Sequence, residues 1–334
     1  MESSDKVLIS PHFLIKNYNI YSIMVSNWED FYAKNPRPAD LEQSESLLKD
    51  FIRRHDDRKV VLVTSGGTTV PLEHNTVRFV DNFSAGTRGS VSAEYFLDHG
   101  YAVIFLHRLK TLEPFSRHFA GHSFLNMLDL KTENGKPSVI VSPEYTEQIS
   151  QVLCKYKEIL KQGKLLQLNF TTLAEYLWLL RSTCKALAPL KSRAILYLAA
   201  AVSDFYIPSN EMSVHKISSS GPPTIALHLV PKILEPLVSL WVPEAFVVSF
   251  KLETDENLLI SKARDALNKY KHYLVVANML HTRKEHVVIV SRDDNYPISL
   301  SKSQIAAGEE IEQQIVADLV KKHDAFIGSA GKVT

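Results

Sequence analysis

Short apolar runs alternate with amphipathic segments along most of this chain. Unbroken apolar or β-branched runs predict buried strands at 59–64, 101–106, 194–202, 245–250, 273–277 and 287–290. Apolar positions that share one helical face predict helices at 39–54, 86–99, 256–270 and 303–323. Strands that alternate with helices in this way are typical of an α/β fold, a doubly wound, Rossmann-like, mostly parallel sheet flanked by helices.

Two stretches depart from this alternation. Residues 1–38 show no periodic pattern and end in the breaker cluster Asn35-Pro36-Arg37-Pro38, which predicts an irregular N-terminal arm. Residues 109–190 are less regular, with helices predicted at 145–162 and 172–187, and we expect an inserted, partly helical region or a dimer-forming excursion there. The remainder predicts one α/β domain over 39–334.

Composition narrows the class of protein. The 334 residues are 45% hydrophobic and 22% charged, as in ordinary folded proteins, and 38 basic residues balance 37 acidic ones. Because the charges are nearly balanced, the protein has no long-range electrostatic field that would attract nucleic acid or an anionic membrane. Any affinity for phosphate must therefore come from local groups. Two cysteines exclude a disulfide framework, and the histidines lack metal-ligand spacing. With no signal peptide or membrane span in the sequence, we expect a cytoplasmic protein, the nucleus being an alternative.

Three segments follow predicted strands, where open α/β sheets bind their ligands. The first, 64–69, contains Gly66-Gly67 among hydroxyl residues, and the second, 82–90, brings small residues and an arginine to a helix N-terminus. Both suit a phosphate group, although Gly66-Gly67 could equally form a turn and Gly89 a packing contact. The third, 199–205, places small residues beside Asp204, which could hold a ribose hydroxyl or a metal, or cap a turn.

A polar loop at 208–223 follows the third segment. It carries Lys216, which suits a flexible lid that brings a counter-charge to phosphates, although a loop lysine is also common on a solvated surface. A dinucleotide enzyme is the alternative. Arg108, at the end of the second strand, could hold a 2′-phosphate, but neither loop has the Gly-x-Gly-x-x-Gly pattern of an NADP-linked oxidoreductase.

Several ordered motifs together resemble the phosphopantothenoylcysteine synthetases, also called phosphopantothenate–cysteine ligases, in their free-standing eukaryotic form. The motifs span most of the chain from about residue 28, namely 64–73, 77–89, 199–204, His215-Lys216-Ile217, Val230-Pro231-Lys232 and 249–255. The resemblance implies ATP-dependent joining of 4′-phosphopantothenate to L-cysteine in coenzyme A synthesis. It also implies an acyl-adenylate intermediate, release of pyrophosphate and then AMP, Mg²⁺ that arrives with ATP, and a homodimer.

The resemblance also implies roles for individual residues. Asn82 matches the family asparagine that binds the intermediate, and Lys216 the lysine that engages the nucleotide phosphates, with Lys232 and Lys251 as alternative partners. Arg78 matches a required arginine that either binds substrate or holds its loop. We expect the substrate phosphate at Ser84, Ala85, Gly86, Arg88 and Gly89. We expect the nucleotide at Ser65, Gly66, Gly67, Ala201, Asp204, Lys232 and Phe250.

Overall fold

The computed structural model describes residues 28–330 apart from residues 120, 122, 123 and 134. Its strands are β1 (Val60–Ser65), β2 (Thr69–Pro71), β3 (Phe79–Asp81), β4 (Ala102–Arg108), β5 (Leu128–Glu133), β6 (Lys136–Val141), β7 (Leu165–Phe170), β8 (Ala194–Leu198), β9 (Phe205–Tyr206), β10 (His228–Leu229), β11 (Phe246–Glu253), β12 (Leu274–Met279), β13 (His286–Val290) and β14 (Asn295–Ser299). Its helices are α1 (Trp28–Lys34), α2 (Leu41–Arg54), α3 (Thr87–Asp98), α4 (Thr146–Gln162), α5 (Leu173–Leu187), α6 (Leu234–Pro236), α7 (Glu256–Tyr270), α8 (Lys302–Ala306) and α9 (Ile311–Ala330).

The central sheet has the strand order β14-β13-β12-β11-β8-β1-β4-β7. The six strands from β12 to β7 run parallel, and β13 and β14 complete one edge in antiparallel fashion. The chain builds outward from β1 through β4 to β7, then returns to β8 on the other side of β1 and continues outward. The boundary between β1 and β8 is therefore the topological switch point, where such sheets bind ligands.

Alternation along each strand divides the core between the two faces of the sheet. In β1, Val60 and Leu62 join a cluster with α2 and α5, whereas Val61 and Val63 join a cluster with α3 and α9. All four side chains are fully buried, as the unbroken apolar run predicts. The predicted doubly wound α/β class is confirmed.

Four details of the sequence prediction are wrong. The arm is not irregular at Trp28–Lys34, which forms α1, while residues 1–27 lie outside the described part of the chain. The stretch expected as an insertion contributes β7 to the main sheet, where it pairs with β4, and α5 to the core. The helix predicted at 303–323 is two helices, because Gly308 adopts a left-handed φ of 73° between α8 and α9. The edge strand β14 was not predicted.

Residues of the predicted excursion that do leave the sheet form the hairpin of β5 and β6. The sequence missed β7 because this edge strand alternates buried and exposed positions instead of presenting one apolar run. It missed α1 because seven residues are too few to show a helical period.

Helix α1 packs against α5 around Arg181, whose guanidinium lies among four aromatic rings. The guanidinium of Arg181, on α5, lies 4.6 Å from the ring centroid of Tyr32, and three tryptophan rings lie within 6 Å of it. These are Trp28, Trp178 and Trp241. The hydroxyl of Tyr32 also donates to the carbonyl of Leu177 at 2.9 Å. We call these five side chains the Arg181 cluster, which stabilises α1 against α5 by cation–π contacts.

No helix in the described ranges is both long enough and apolar enough to span a membrane.

Candidate active site

The segments after β1 and β8 are joined by backbone hydrogen bonds at the switch point. The N–H of Ala201 donates to the carbonyl of Gly66 at 2.8 Å, and the N–H of Thr68 donates to the carbonyl of Ala201 at 3.1 Å. The hydroxyl of Thr68 accepts from the N–H of Ser203 at 3.0 Å. The first and third predicted segments therefore meet at one edge of the sheet.

The second predicted segment packs onto the first. The N–H of Asn82 donates to the carbonyl of Thr68 at 3.2 Å, and the hydroxyl of Ser65 donates to the carbonyl of Gly86 at 3.0 Å. A Cβ added at Gly67 would lie 1.6 Å from the carbonyl oxygen of Asn82. A Cβ added at Gly89 would lie 2.4 Å from the Ser65 side chain.

Close packing thus explains why several of these positions are glycine. Gly66 and Gly86 have a φ of 82°, a left-handed backbone conformation that is strained for a residue with a side chain. Gly67 and Gly89 lie so close to neighbouring atoms that a methyl group would not fit. Ser65 is buried and its hydroxyl is engaged. The turn and packing alternatives for these residues are supported, and their contact with a ligand stays a prediction.

The N-terminus of α3 lies at the same edge. Ser84 is half-buried and Ala85 is exposed, while Gly86, which precedes the helix, is buried and its N–H donates to the Ser84 hydroxyl at 3.4 Å. The first N–H groups of a helix have no partner within the helix. The guanidinium of Arg88 is engaged by other residues. It pairs with Glu312 of α9 at 2.8 Å and donates to the carbonyl of Arg283. Burial raises the pKa of Glu312, and Arg88 partly offsets that rise. The side chain of Arg88 is therefore structural, and phosphate binding here would depend on backbone amides.

A cavity of about 320 Å³ opens at the ends of β8 and β11, where Ala200, Val202, Ser203 and Asp204 of the third segment line it. Its floor includes Phe250, whose ring packs edge-on against Tyr197 with centroids 4.8 Å apart. At its margin the ammonium of Lys232 lies 3.6 Å from the carboxylate of Asp204, and both side chains are exposed. Apolar lining residues include Leu177, Leu180, Val230, Ile233 and Leu237. The structure thus brings together three of the residues predicted to bind the nucleotide, Asp204, Lys232 and Phe250.

A hydroxyl–imidazole pair lies at the wall of this cavity, with the imidazole of His272 buried behind Ser249. Ser249, which lines it, lies 2.8 Å from Nε2 of His272. Burial lowers the pKa of His272 to about 4, so the imidazole is neutral at neutral pH. Sequence patterns gave no signal for this pair, because His272 follows α7 in the chain and meets β11 only in the folded sheet.

The predicted catalytic residues lie in and around the β2–β3 hairpin. Asn82 follows β3 and is half-buried, and none of the described residues forms a hydrogen bond with its side-chain amide. Nε of Arg78 donates to Glu73 Oε1 at 3.1 Å, and its Nη2 donates to the carbonyl of Ile217 at 2.6 Å. Arg78 therefore contacts the loop that contains Lys216, and its binding of substrate stays a prediction.

Lys216 is exposed, and within the described ranges no carboxylate pairs with it. The residues on the N-terminal side of Lys216 are hydrogen-bonded to the β2–β3 turn, and the flexibility of the loop stays a prediction. The N–H groups of His74 and Asn75 donate to the carbonyls of Ser213 and Val214, at 2.8 and 3.1 Å. Sequence reasoning missed the part played by the β2–β3 turn in holding this segment.

Arg108, considered above for a 2′-phosphate, forms an ion pair with Asp81 of β3. Lys251, the other alternative partner for phosphates, pairs with Glu253 at 3.2 Å. Across the part of the chain that is described, no three His, Cys, Asp or Glu side chains are grouped to hold a metal ion.

Comparisons with known proteins agree with this geometry. The family model for the DNA/pantothenate metabolism flavoprotein C-terminal domain matches residues 181–329. The phosphopantothenate–cysteine ligase of Mus musculus is 47% identical over 303 residues, which cover 89% of this chain and 97% of that protein. The chain belongs to the phosphopantothenate–cysteine ligase family. The Homo sapiens ligase is 45% identical over 306 residues, covering 90% of this chain and 98% of that protein.

A solved structure of a Cab2 mutant in complex with phosphopantothenate-cysteine matches with a TM-score of 0.83 and 41% identity. The match covers 91% of this chain and 99% of that one. Membership of the phosphopantothenate–cysteine ligase family confirms the resemblance and the enzyme class predicted from the motifs. The alternative of an NADP-linked oxidoreductase finds no support, in keeping with the engagement of Arg108 by Asp81.

Proposed function

We propose that this protein joins 4′-phosphopantothenate to L-cysteine in coenzyme A synthesis, using ATP and an acyl-adenylate intermediate. The observation that carries the proposal is the meeting of three segments, 64–69, 82–90 and 199–204, at the switch point of the sheet beside a cavity of about 320 Å³. Relatives named phosphopantothenate–cysteine ligase, 45–47% identical, support the choice of substrates.

The cavity at the ends of β8 and β11 is the proposed nucleotide site. Its size lies at the lower end of the range for small-molecule pockets, and its apolar wall with Phe250 suits a planar base. Asp204 and Lys232 at the margin suit a ribose hydroxyl and a phosphate. Asp204 also offers an exposed carboxylate of the kind that Mg²⁺ accepts, so a magnesium ion bound mainly by ATP phosphates would fit here.

In the first step, the carboxylate of 4′-phosphopantothenate attacks the α-phosphorus of ATP and pyrophosphate leaves. Two anions must approach each other, so the site has to supply positive charge. Lys216 provides an exposed ammonium with no competing carboxylate among the described residues. The backbone N–H groups at the start of α3 provide a second, fixed source of positive potential for the substrate phosphate.

In the second step, the cysteine amine attacks the acyl carbon and AMP leaves. The mixed anhydride must be held in place until the amine arrives. The neutral amide of Asn82 can donate to an acyl or phosphoryl oxygen at any pH, since it does not titrate. Its backbone is held by the hydrogen bond to Thr68 and by contact with Gly67, and its side-chain amide is available for the intermediate.

The proposal is tested by mass spectrometry of reactions from which cysteine is withheld. We expect the acyl-nucleotide to accumulate with ATP and not with CTP. Lys216→Gln should reduce its formation about 100-fold or more, the usual effect of removing one charge-stabilising group. Asn82→Asp should give little product, because it places a carboxylate against the phosphorylated intermediate. A wild-type enzyme that makes no acyl-nucleotide would refute the proposed reaction, and unchanged rates in both variants would refute the residue assignments.

We also propose a homodimer built on the β5–β6 hairpin and on α4. The hairpin extends from the sheet and exposes Leu130 at 76% and Val139 at 66%, and α4 exposes Leu153 and Leu160. A second copy of the chain would cover this apolar surface. Analytical ultracentrifugation should give a dimer for the wild type and a shift toward monomer for Leu130→Glu. A wild-type monomer at micromolar concentration would contradict the proposal.

A further inference from the structure

Glu73 is a fully buried carboxylate in the turn between β2 and β3, with 0% of its surface exposed. A charge removed from water in this way has to be compensated by hydrogen bonds or an opposite charge. Burial raises the pKa of Glu73, but hydrogen bonds from the backbone N–H groups of Arg78, Ile217 and Val77 outweigh it and lower the pKa below its ordinary value. The side chain is therefore ionised at neutral pH.

Each oxygen of this carboxylate accepts from two donors. Oε1 accepts from Nε of Arg78 at 3.1 Å and from the N–H of Ile217 at 3.4 Å. Oε2 accepts from the N–H groups of Arg78 at 3.0 Å and Val77 at 3.3 Å. One carboxylate thus joins the β2–β3 turn to a residue that lies 144 positions later in the chain.

Ile217 is held at both of its backbone groups by the same ion pair. Its N–H donates to Glu73, and its carbonyl accepts from Nη2 of Arg78 at 2.6 Å. On the other side of Lys216, Ser213 and Val214 are bound by the backbone of the same turn. The exposed pair His215-Lys216 therefore projects from a segment that is anchored on both sides.

We propose that Glu73 is a positioning residue for the ligase reaction, which holds the Lys216 segment and the Arg78 guanidinium in their working arrangement. Glu73 touches no reacting atom and acts through these two neighbours. The inference rests on the proposed function of Lys216 in the first step. It explains why a fully buried carboxylate lies beside a site that must attract anions, since its charge is neutralised locally by Arg78 and backbone donors.

The test is Glu73→Gln. A glutamine keeps one oxygen, but its NH₂ group must face one of the two donor pairs, so either Ile217 or the backbone of the turn loses its acceptor. Glu94→Gln is the matched control, because Glu94 also binds an arginine, Arg117, and a backbone N–H away from the candidate active site. Glu73→Asp retains the charge on a shorter side chain and serves as the conservative variant.

Three quantities are measured on folded protein: kcat for pyrophosphate release, KM for ATP, and hydrogen–deuterium exchange in peptides covering 213–218. We expect Glu73→Gln to lower kcat at least 10-fold and to accelerate exchange, Glu73→Asp to recover part of both, and Glu94→Gln to lower only the melting temperature. Wild-type kcat, KM and exchange in folded Glu73→Gln would overturn the inference.

If Glu73→Gln does not fold, Glu73→Asp decides, and wild-type values for it in all three measurements would likewise overturn the inference. A wild type with no pyrophosphate release would refute the proposed function instead. In that case the exchange measurement still decides whether Glu73 holds the Lys216 segment.

Discussion

The contact between Gly67 and Asn82 makes a demanding prediction for Gly67→Ala. Gly67 does not have a left-handed φ, so alanine meets no backbone strain there and the effect is steric. The new methyl carbon would lie 1.6 Å from the carbonyl oxygen of Asn82 and 2.8 Å from its carbonyl carbon. Both are backbone atoms, so no rotation of a side chain relieves the overlap.

The size of the effect follows from the distance. Ordinary contacts of a Cβ begin at 3.4 Å, so the backbone of Asn82 has to retreat by about 2 Å. A misplacement of about 1 Å at a catalytic group can lower a rate about 100-fold. We therefore expect kcat to fall at least about 100-fold, equivalent to about 2.7 kcal/mol in the activation barrier. Overpacking should also cost about 1–3 kcal/mol of stability.

The assay is steady-state product formation with saturating ATP, phosphopantothenate and cysteine, accompanied by urea unfolding. Gly328→Ala in α9 is the control, because a methyl group there meets nothing within 4 Å. It should keep wild-type kcat and should not lose stability, since alanine favours a helix over glycine. If Gly67→Ala retains both wild-type kcat and wild-type stability, the steric argument for this loop contact is refuted.

Three further changes test the scaffold. Arg181→Ala should lower the free energy of unfolding by about 2–3 kcal/mol in urea titrations, because it removes several cation–π contacts at once; a loss below about 0.5 kcal/mol would contradict this. Burial lowers the pKa of His323 to about 4, so the unfolded chain alone takes up that proton as pH falls from about 6.5 to 4. The wild type should lose on the order of 3 kcal/mol over that window through this group, and His323→Gln should show a correspondingly flatter dependence; equal slopes would contradict the assignment. Arg88→Gln should destabilise the fold by about 3–5 kcal/mol by leaving Glu312 buried without its partner, with little change in KM for phosphopantothenate, and a large rise in KM without destabilisation would restore the phosphate role.

The sequence predicted the parts of the fold that depend on local pattern. Strands such as β1 carry unbroken apolar runs because both faces of the sheet are covered, and that signal is independent of distant residues. Edge elements lack it. In β7 the exposed residues interrupt the run, and β14 has alternating exposure on a solvated edge, so neither was separable from loop sequence.

Candidate site residues could be predicted where a motif in one stretch of sequence carries them, whereas their contacts with distant partners could not. Asn82 and Lys216 lie in motifs that can be recognised in one stretch of sequence. The guanidinium of Arg88 pairs with Glu312, 224 residues later, and the backbone N–H of Ile217 donates to Glu73, 144 residues earlier. No spacing rule connects such pairs, because only the fold brings them together.

The topology also explains why the dinucleotide fingerprint is absent from a sheet with this strand order. In a dinucleotide-binding fold, the glycine-rich turn leads from the first strand directly into a helix whose N-terminus holds the pyrophosphate. Here the chain leaves β1 at Ser65 and enters α3 only at Thr87, and the β2–β3 hairpin fills the interval. Asn82 lies at the end of that hairpin. Asp81 of β3 forms an ion pair with Arg108, whose guanidinium could otherwise have held a ribose phosphate. At this switch point the hairpin thus takes the place of the glycine-rich turn, and its backbone holds the 213–217 segment that carries Lys216.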